Sequence, residues 1–147
     1  MYLLSKKLRF ESAHRLAKGY VGKCANIHGH SWNAEVFVIV DELDKYDFGV
    51  DFVELGRFTK RIEENLDHKI LLHVEDKATI QLCQIQGFDY IPFDNNPTCE
   101  TIAKWIYDLS VIFFSSQSHI FVEKVVVNET CTTGCEYRPT VLGSLPL

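Results

Sequence analysis

Apolar and polar positions alternate loosely through YLLSKKLRFESA, residues 2–13, and this period of two predicts a strand. The next stretch, RLAKGYVGKCAN, breaks the alternation with glycines and polar residues and reads as a connecting loop. From His28 to Val40 the chain is rich in β-branched and aromatic residues, which predicts a second strand. Asp41 to Gly49 is turn-like. In DFVELGRFTKRIEENLD the period changes: Phe52, Leu55, Phe58, Ile62 and Leu66 recur at helical spacing. Asp51 is the expected cap of that helix, with Glu54 three residues on as its reciprocal partner, and the helix is expected to end near Leu66. Residues 70–92 hold apolar patches (ILLHV, ATIQLCQI, FDYIPF) without one clear period and read as irregular structure or strand. Asn96-Pro97 punctuates the chain, with Pro97 suited to a first helical turn. Thr98 to Phe114 then carries Ile102, Trp105 or Ile106, Leu109 and Phe113, a second helix. His119 to Asn128 is a further β run, and the tail after Tyr137 is short, strand or coil.

Hairpin-connected strands with helices between them imply an α+β layer, an antiparallel sheet with two helices packed on one face. At 147 residues the chain is the size of one domain, 1–147, and can bury a core without disulfide staples. No internal repeat or linker interrupts it. The net charge of −5 argues against nucleic acid as the main partner, since phosphates demand a basic face. The start, MYLLSKKLRFESAHRL, places charges where an export signal needs an apolar core, and no window approaches the roughly 18 apolar residues of a membrane span. Five cysteines, Cys24, Cys83, Cys99, Cys131 and Cys135, make an odd count. A disulfide framework is therefore not expected, and a cytoplasmic setting fits better.

The histidines change the picture from fold to chemistry. His28 and His30 are two apart, so on a strand both imidazoles project from one face. His14 closes the preceding strand, and an antiparallel hairpin would set it beside them. Three histidines from two strands leave a fourth tetrahedral position open, the pattern of a catalytic zinc rather than a closed structural site. His-x-His alone is a weak signal, and surface or capping histidines would look the same. Gly29 between the two permits close approach of a neighbour.

Cys24 lies in the loop four residues before His28, and three readings compete for it. It is a small buried thiol, a fourth ligand that closes the site, or a thiolate beside the metal, where a nearby cation favours the anionic form. Asp67-His68 follows the first helix. A carboxylate that orients a histidine is a common acid–base device, but adjacent residues face each other only if the chain turns there, and a histidine near a helix C-terminus explains the pair as well. Glu129 follows an apolar strand and is either an acceptor of two hydrogen bonds from an amino-pyrimidine edge or a solvated charge. Glu100 near the start of the second helix is otherwise just a favourable charge at a helix N-terminus. Cys131-x-x-x-Cys135 has no common zinc-knuckle spacing and reads as structural.

Six segments, in order, then match a known family: FESAHRL (10–16), CANIHGHSW (24–32), DFGVDFVELG (47–56), LDHKILL (66–72), NPTCETIAKWIYD (96–108) and VVVNETCTTGCEY (125–137). Over nearly its whole length the chain resembles the 6-pyruvoyl-tetrahydropterin synthase family. Within it, the chain is similar to the carboxy-tetrahydropterin synthases of queuosine biosynthesis. Three residues separate Cys24 from His28, as in that branch, and the closing ETCTTGCEY also looks like it. Residues 73–95 depart from the compact members as a longer connection.

The resemblance implies a tunnelling fold (T-fold). It implies one zinc ion per subunit held by His14, His28 and His30. It makes Cys24, Asp67 and His68 catalytic and Glu129 the anchor of the pterin ring, with Glu100 near that ring. It implies subunits packed as a homohexamer of two trimers, with the pterin site between subunits and apolar strand residues at the interfaces. The implied reaction converts 7,8-dihydroneopterin triphosphate to 6-carboxy-5,6,7,8-tetrahydropterin, with loss of acetaldehyde and triphosphate and no redox cofactor. A 6-pyruvoyl or sepiapterin-processing synthase, or a zinc-stabilised pterin binder without turnover, is the alternative.

Overall fold

A computed structural model describes residues 1–139. Ten elements follow one another: β1 (Tyr2–His14), a 3-10 turn (Lys23–Ala25), β2 (His28–Val40), α1 (Phe52–Leu66), β3 (Lys69–His73), α2 (Lys77–Gln86), β4 (Tyr90–Phe93), α3 (Cys99–Phe114), β5 (Ile120–Asn128) and β6 (Gly134–Tyr137). The expected tail beyond Tyr137 lies, from residue 140 on, outside the described residues.

The strands form one sheet in the order β4-β3-β1-β2-β5-β6. β1 and β2 pair antiparallel over their full length, from Tyr2 opposite Val40 to His14 opposite His28. β5 and β6 continue the antiparallel side. The other side departs from an all-antiparallel sheet, because β3 runs parallel to β1 and β4 parallel to β3. The cause is residues 73–95, which fold as a crossover: α2 separates β3 from β4, and a helical crossover returns the chain in the same direction. The sheet is therefore mixed, and the described residues form three α-helices rather than two. The patches of 70–92 mislead because each element is short and α2 buries only Thr79 and Cys83.

Alternation decides which face is covered. Leu8, Phe10, Ser12 and His14 point inward from β1, and Trp32, Ala34, Val36, Val38 and Val40 from β2. Leu55, Phe58, Ile62 and Leu66 of α1 and Ile102, Ala103, Ile106 and Phe114 of α3 cover them in one core. Phe52 belongs to the helical period but is exposed, one turn outside the sheet. On α3 the buried stripe runs through Ile106 and Phe114. The outer face of β1 and β2 is largely polar, with Ser5 donating to Glu35 (2.6 Å) and Ser31 to Glu11 (2.6 Å). Exposed apolar side chains on the strands gather at the far end, at Tyr2, Leu3 and Phe121.

The helix ends place the functional loops. Asp51 caps α1 by accepting from the Val53 N–H, but Glu54 pairs with Arg57 instead of closing a box. Pro97 stands one residue before the cap of α3. Thr98 takes that role in a capping box with Thr101, which frees the Pro97 carbonyl to face the sheet.

Candidate metal centre and its two flanking depressions

The β1–β2 register sets the centre. His14 and His28 are directly opposed, and His30 lies two residues on along the same face. Trp32 closes the bottom, edge-on to both His14 and His30, with its indole N–H donating to the Ser12 carbonyl (3.2 Å). Among the described residues, the three histidines form a group whose ligand atoms all lie within 4.8 Å of one another.

Backbone carbonyls fix the tautomers. His14 Nδ1 donates to the Pro97 carbonyl (2.7 Å) and His28 Nδ1 to the Asn26 carbonyl (2.8 Å). Each Nε2 then carries a bare lone pair, yet the two stand only 3.0 Å apart. His30 Nε2 is buried with no hydrogen-bond partner among the described residues. Protonating one ring would relieve the contact between two of them, but burial holds the proton affinity of His14 down, as do His28 and His30. The Pro97 bond and Glu129 only oppose this. A cation shared by the three Nε2 atoms satisfies all of them. Three neutral imidazoles with one remaining tetrahedral place suit a borderline-soft divalent ion, and the Nδ1–carbonyl bonds are the usual outer support for such ligands. Gly29 is not needed for space, since a Cβ there would meet the Ser12 carbonyl at an ordinary 3.5 Å.

Two depressions flank this centre. The first is a cavity of about 220 Å³ whose lining includes His14, Cys24, Cys99, Glu100, Glu129 and Cys135. The 3-10 turn brings Cys24 here, held by the Leu16 N–H bond to the Cys24 carbonyl (2.9 Å). Glu129, just past β5, reaches His14 Nε2 and His30 Nε2, 3.4 Å from each. It is therefore not a freely solvated charge. The second depression, about 410 Å³, is lined by Glu11, Ser12, Gly29, His30 and His68 among others.

The chain does turn at Asp67-His68. Asp67 caps α1 in an extended conformation, and His68 takes the left-handed region at φ 57°. Its N–H donates to the Glu11 carbonyl (2.6 Å), and its Nδ1 meets Asp67 Oδ2 at 2.7 Å. The Glu11 N–H, donated to Asp67 (2.7 Å), and the His68 bond hold the Asp67 carboxyl below its ordinary value. The dyad is thus formed, but His68 is 81% exposed and lies in the second depression, apart from Cys24.

Cys99 and Cys135 lie beside Cys24 in the cavity wall, a placement their spacing did not disclose. Cys99 donates to the Val127 carbonyl (3.1 Å), opposite Cys135 on β6. Burial and the neighbouring Cys99 push the Cys135 thiol up to about 12. Cys131 is exposed on the β5–β6 turn, and all five cysteines are free. A further apolar hollow of about 400 Å³ sits at the far end of β1, between Tyr2, Leu4, Phe48 and Phe52, and bears no histidine or cysteine. Among the described residues, no helix is long and apolar enough to cross a membrane.

Comparison with known proteins agrees with this geometry. A curated relative from Aquifex aeolicus, 6-carboxy-5,6,7,8-tetrahydropterin synthase, is 31% identical over 92% of this chain and 96% of its own. One of the same name from Bacillus subtilis is 31% identical over 92% of this chain and 84% of its own. An uncharacterized protein from Wolinella succinogenes shares the fold with a TM-score of 0.82 at 19% identity, covering 95% of this chain and 98% of that one. The family model described as 6-pyruvoyl tetrahydropterin synthase matches residues 3–140. With strands, helices and histidine register all falling inside that match, the chain belongs to the 6-pyruvoyl tetrahydropterin synthase family.

Proposed function

We propose that the chain is a zinc-dependent lyase that converts 7,8-dihydroneopterin triphosphate and one water to 6-carboxy-5,6,7,8-tetrahydropterin, releasing acetaldehyde and triphosphate, as a step toward queuosine. The observation that carries the reading is the convergence of the His14, His28 and His30 imidazoles at the head of a cavity that also holds Cys24, Glu100 and Glu129. The name shared by the Aquifex and Bacillus relatives supplies the reaction.

His14, His28 and His30 would hold the zinc. When bound, the ion draws charge from the side-chain oxygens of the substrate and makes them more acidic. The residues do the rest. Glu129 accepts two hydrogen bonds from the amino-pyrimidine edge, and Glu100 supports the same ring from the start of α3. Orientation of this kind is worth several kcal/mol of barrier, of the roughly 7–11 available to ideal positioning. Cys24 takes the proton from the side-chain carbon beside the ring. His68, oriented by Asp67, exchanges protons with the side-chain hydroxyl from the opposite face. The electrons lost by the side chain are gained by the ring, so no redox cofactor enters.

Within one chain the dyad and Cys24 belong to different depressions. The proposed active unit is a homo-oligomer, a hexamer of two trimers, in which a neighbouring subunit brings Asp67 and His68 to the open side of the cavity. The protein works in the cytoplasm on a small pterin, without nucleic acid or membrane.

Product analysis with 7,8-dihydroneopterin triphosphate, with and without a zinc chelator, tests the proposal. Acetaldehyde together with triphosphate is expected, and chelation abolishes both. Triphosphate release with a pyruvoyl product and no acetaldehyde would assign the pyruvoyl branch. Binding without any turnover would leave a pterin-binding protein.

A further inference from the structure

We infer that Glu129 is a releasable fourth ligand of the metal: its carboxylate closes the three-histidine site while the cavity is empty and leaves it for the pterin edge when substrate enters. This rests on the three-histidine reading above and gives the same carboxylate a second, earlier task.

The geometry is specific. Glu129 Oε1 stands 3.4 Å from His14 Nε2 and 3.4 Å from His30 Nε2. A carboxylate oxygen this close to two imidazoles that converge with a third is placed to share a cation with them. A tetrahedral site with bonds of about 2.0–2.2 Å has ligand–ligand edges of about 3.3–3.6 Å. Both Glu129 distances fall on that edge, and the 3.0 Å between His14 and His28 is a little inside it. The carboxylate thus stands beside His14 and His30 at the spacing expected of a ligand that shares an ion with them.

The same residue is built to let go. Its backbone is fixed by the turn after β5, where the Glu129 and Thr130 N–H groups both donate to the Thr133 carbonyl (3.1 and 3.3 Å). Its side chain is 29% exposed along the cavity, and among the described residues no hydrogen bond ties the carboxylate elsewhere. An incoming amino-pyrimidine offers two N–H donors to an acceptor-only carboxylate. One carboxylate cannot serve both partners fully. Ring docking would therefore open the metal to the substrate's own oxygens, and an empty site would stay closed to stray oxygen ligands.

The test replaces zinc with Co2+, whose visible absorption reports the ligand set, and titrates a competing chelator. The probe is a dihydropterin without a side chain, which can reach Glu129 but has no side-chain oxygen for the metal. For the wild type we expect the probe to change the Co2+ spectrum. Glu129→Gln is expected to weaken Co2+ binding at least about tenfold, a loss of the size seen when a ligand's support is removed. It should also alter the spectrum and abolish the response to the probe, while Glu100→Gln keeps the wild-type spectrum. Glu129→Asp, read the same way, covers a Gln variant that folds poorly by circular dichroism. Unchanged affinity and spectrum in Glu129→Gln overturn the inference. Weaker binding with an unchanged spectrum also overturns it, making Glu129 only a charged neighbour. A wild-type spectrum indifferent to saturating probe overturns the release. His28→Ala separates the two readings, because retention of Co2+ at full affinity there sinks the three-histidine site itself, whatever Glu129 does.

Discussion

The two depressions beside the histidines are built from opposite materials. The Cys24 cavity is walled by the turn after β5 and the capped start of α3, and its lining thiols Cys99 and Cys135 are pushed toward the neutral form by burial. The His68 depression is open, floored by β1, β2 and the start of β3, and its acid–base pair stands in solvent. His30 borders the second and reaches the first through Glu129. One chain therefore carries Cys24 and the Asp67–His68 pair in two different depressions beside the histidines. On the proposed reading, a ring approached from two faces draws its proton-transfer groups from two chains, which makes assembly part of the chemistry.

The largest expected effect removes what both sides share. His28→Ala should lose the metal by elemental analysis and drop turnover to background, since it deletes one of three ligands. Cys24→Ala should keep the metal and lose turnover by about 10²–10⁴-fold, the range of a positioned acid or base. Loss of metal in that variant would make Cys24 a ligand and erase the contrast between the two sides.

Subunit mixing sharpens the comparison directly. Cys24→Ala and His68→Ala chains are each expected to be nearly inactive, and co-refolded mixtures should regain a substantial fraction of wild-type activity, because some cavities then pair an intact Cys24 with a neighbour's intact His68. Mixtures no more active than their components would place both groups in one chain's site.

Smaller effects concern stability on either side. Thr98→Ala removes the cap of α3 under the cavity and should cost about 1 kcal/mol in denaturant unfolding. Asp67→Asn acts on the other side and depends on pH. The folded carboxyl lies below its ordinary value, so the unfolded chain takes up its proton first, at about 3.9. The Asp67 contribution is thus fully present above that value and is lost as pH falls through the lower folded one. Melting curves of wild type and Asp67→Asn should differ near neutrality and converge in acid. Exposure of the pair keeps the difference small.

Much of this was legible from residue order. The period of two in β1 and β2 fixed which side chains share a face, and therefore that His28 and His30 project together. The helical spacing of Leu55, Phe58, Ile62 and Leu66 located α1 closely, and Asp51 announced its cap. Residues 70–92 were not legible, because α2 has a weak apolar face and β3 and β4 are too short to show a period. Their parallel pairing depends on the crossover between them, which no local pattern encodes.

The site divides in the same way. Sequence by itself determined the donor set, since a strand's alternation and a hairpin's register are local rules, and it put Cys24 outside the strand. Tertiary structure alone decided the rest. It set the Pro97 carbonyl against His14 across 83 positions. It turned the chain at His68 so that the dyad forms, and it set His68 in a different depression from Cys24. It also brought Glu129, which reads as a surface charge in the sequence, to within 3.4 Å of His14 and His30. The reason is physical: which atoms share a face follows from backbone geometry over a few residues, while which faces meet follows from how the whole core packs.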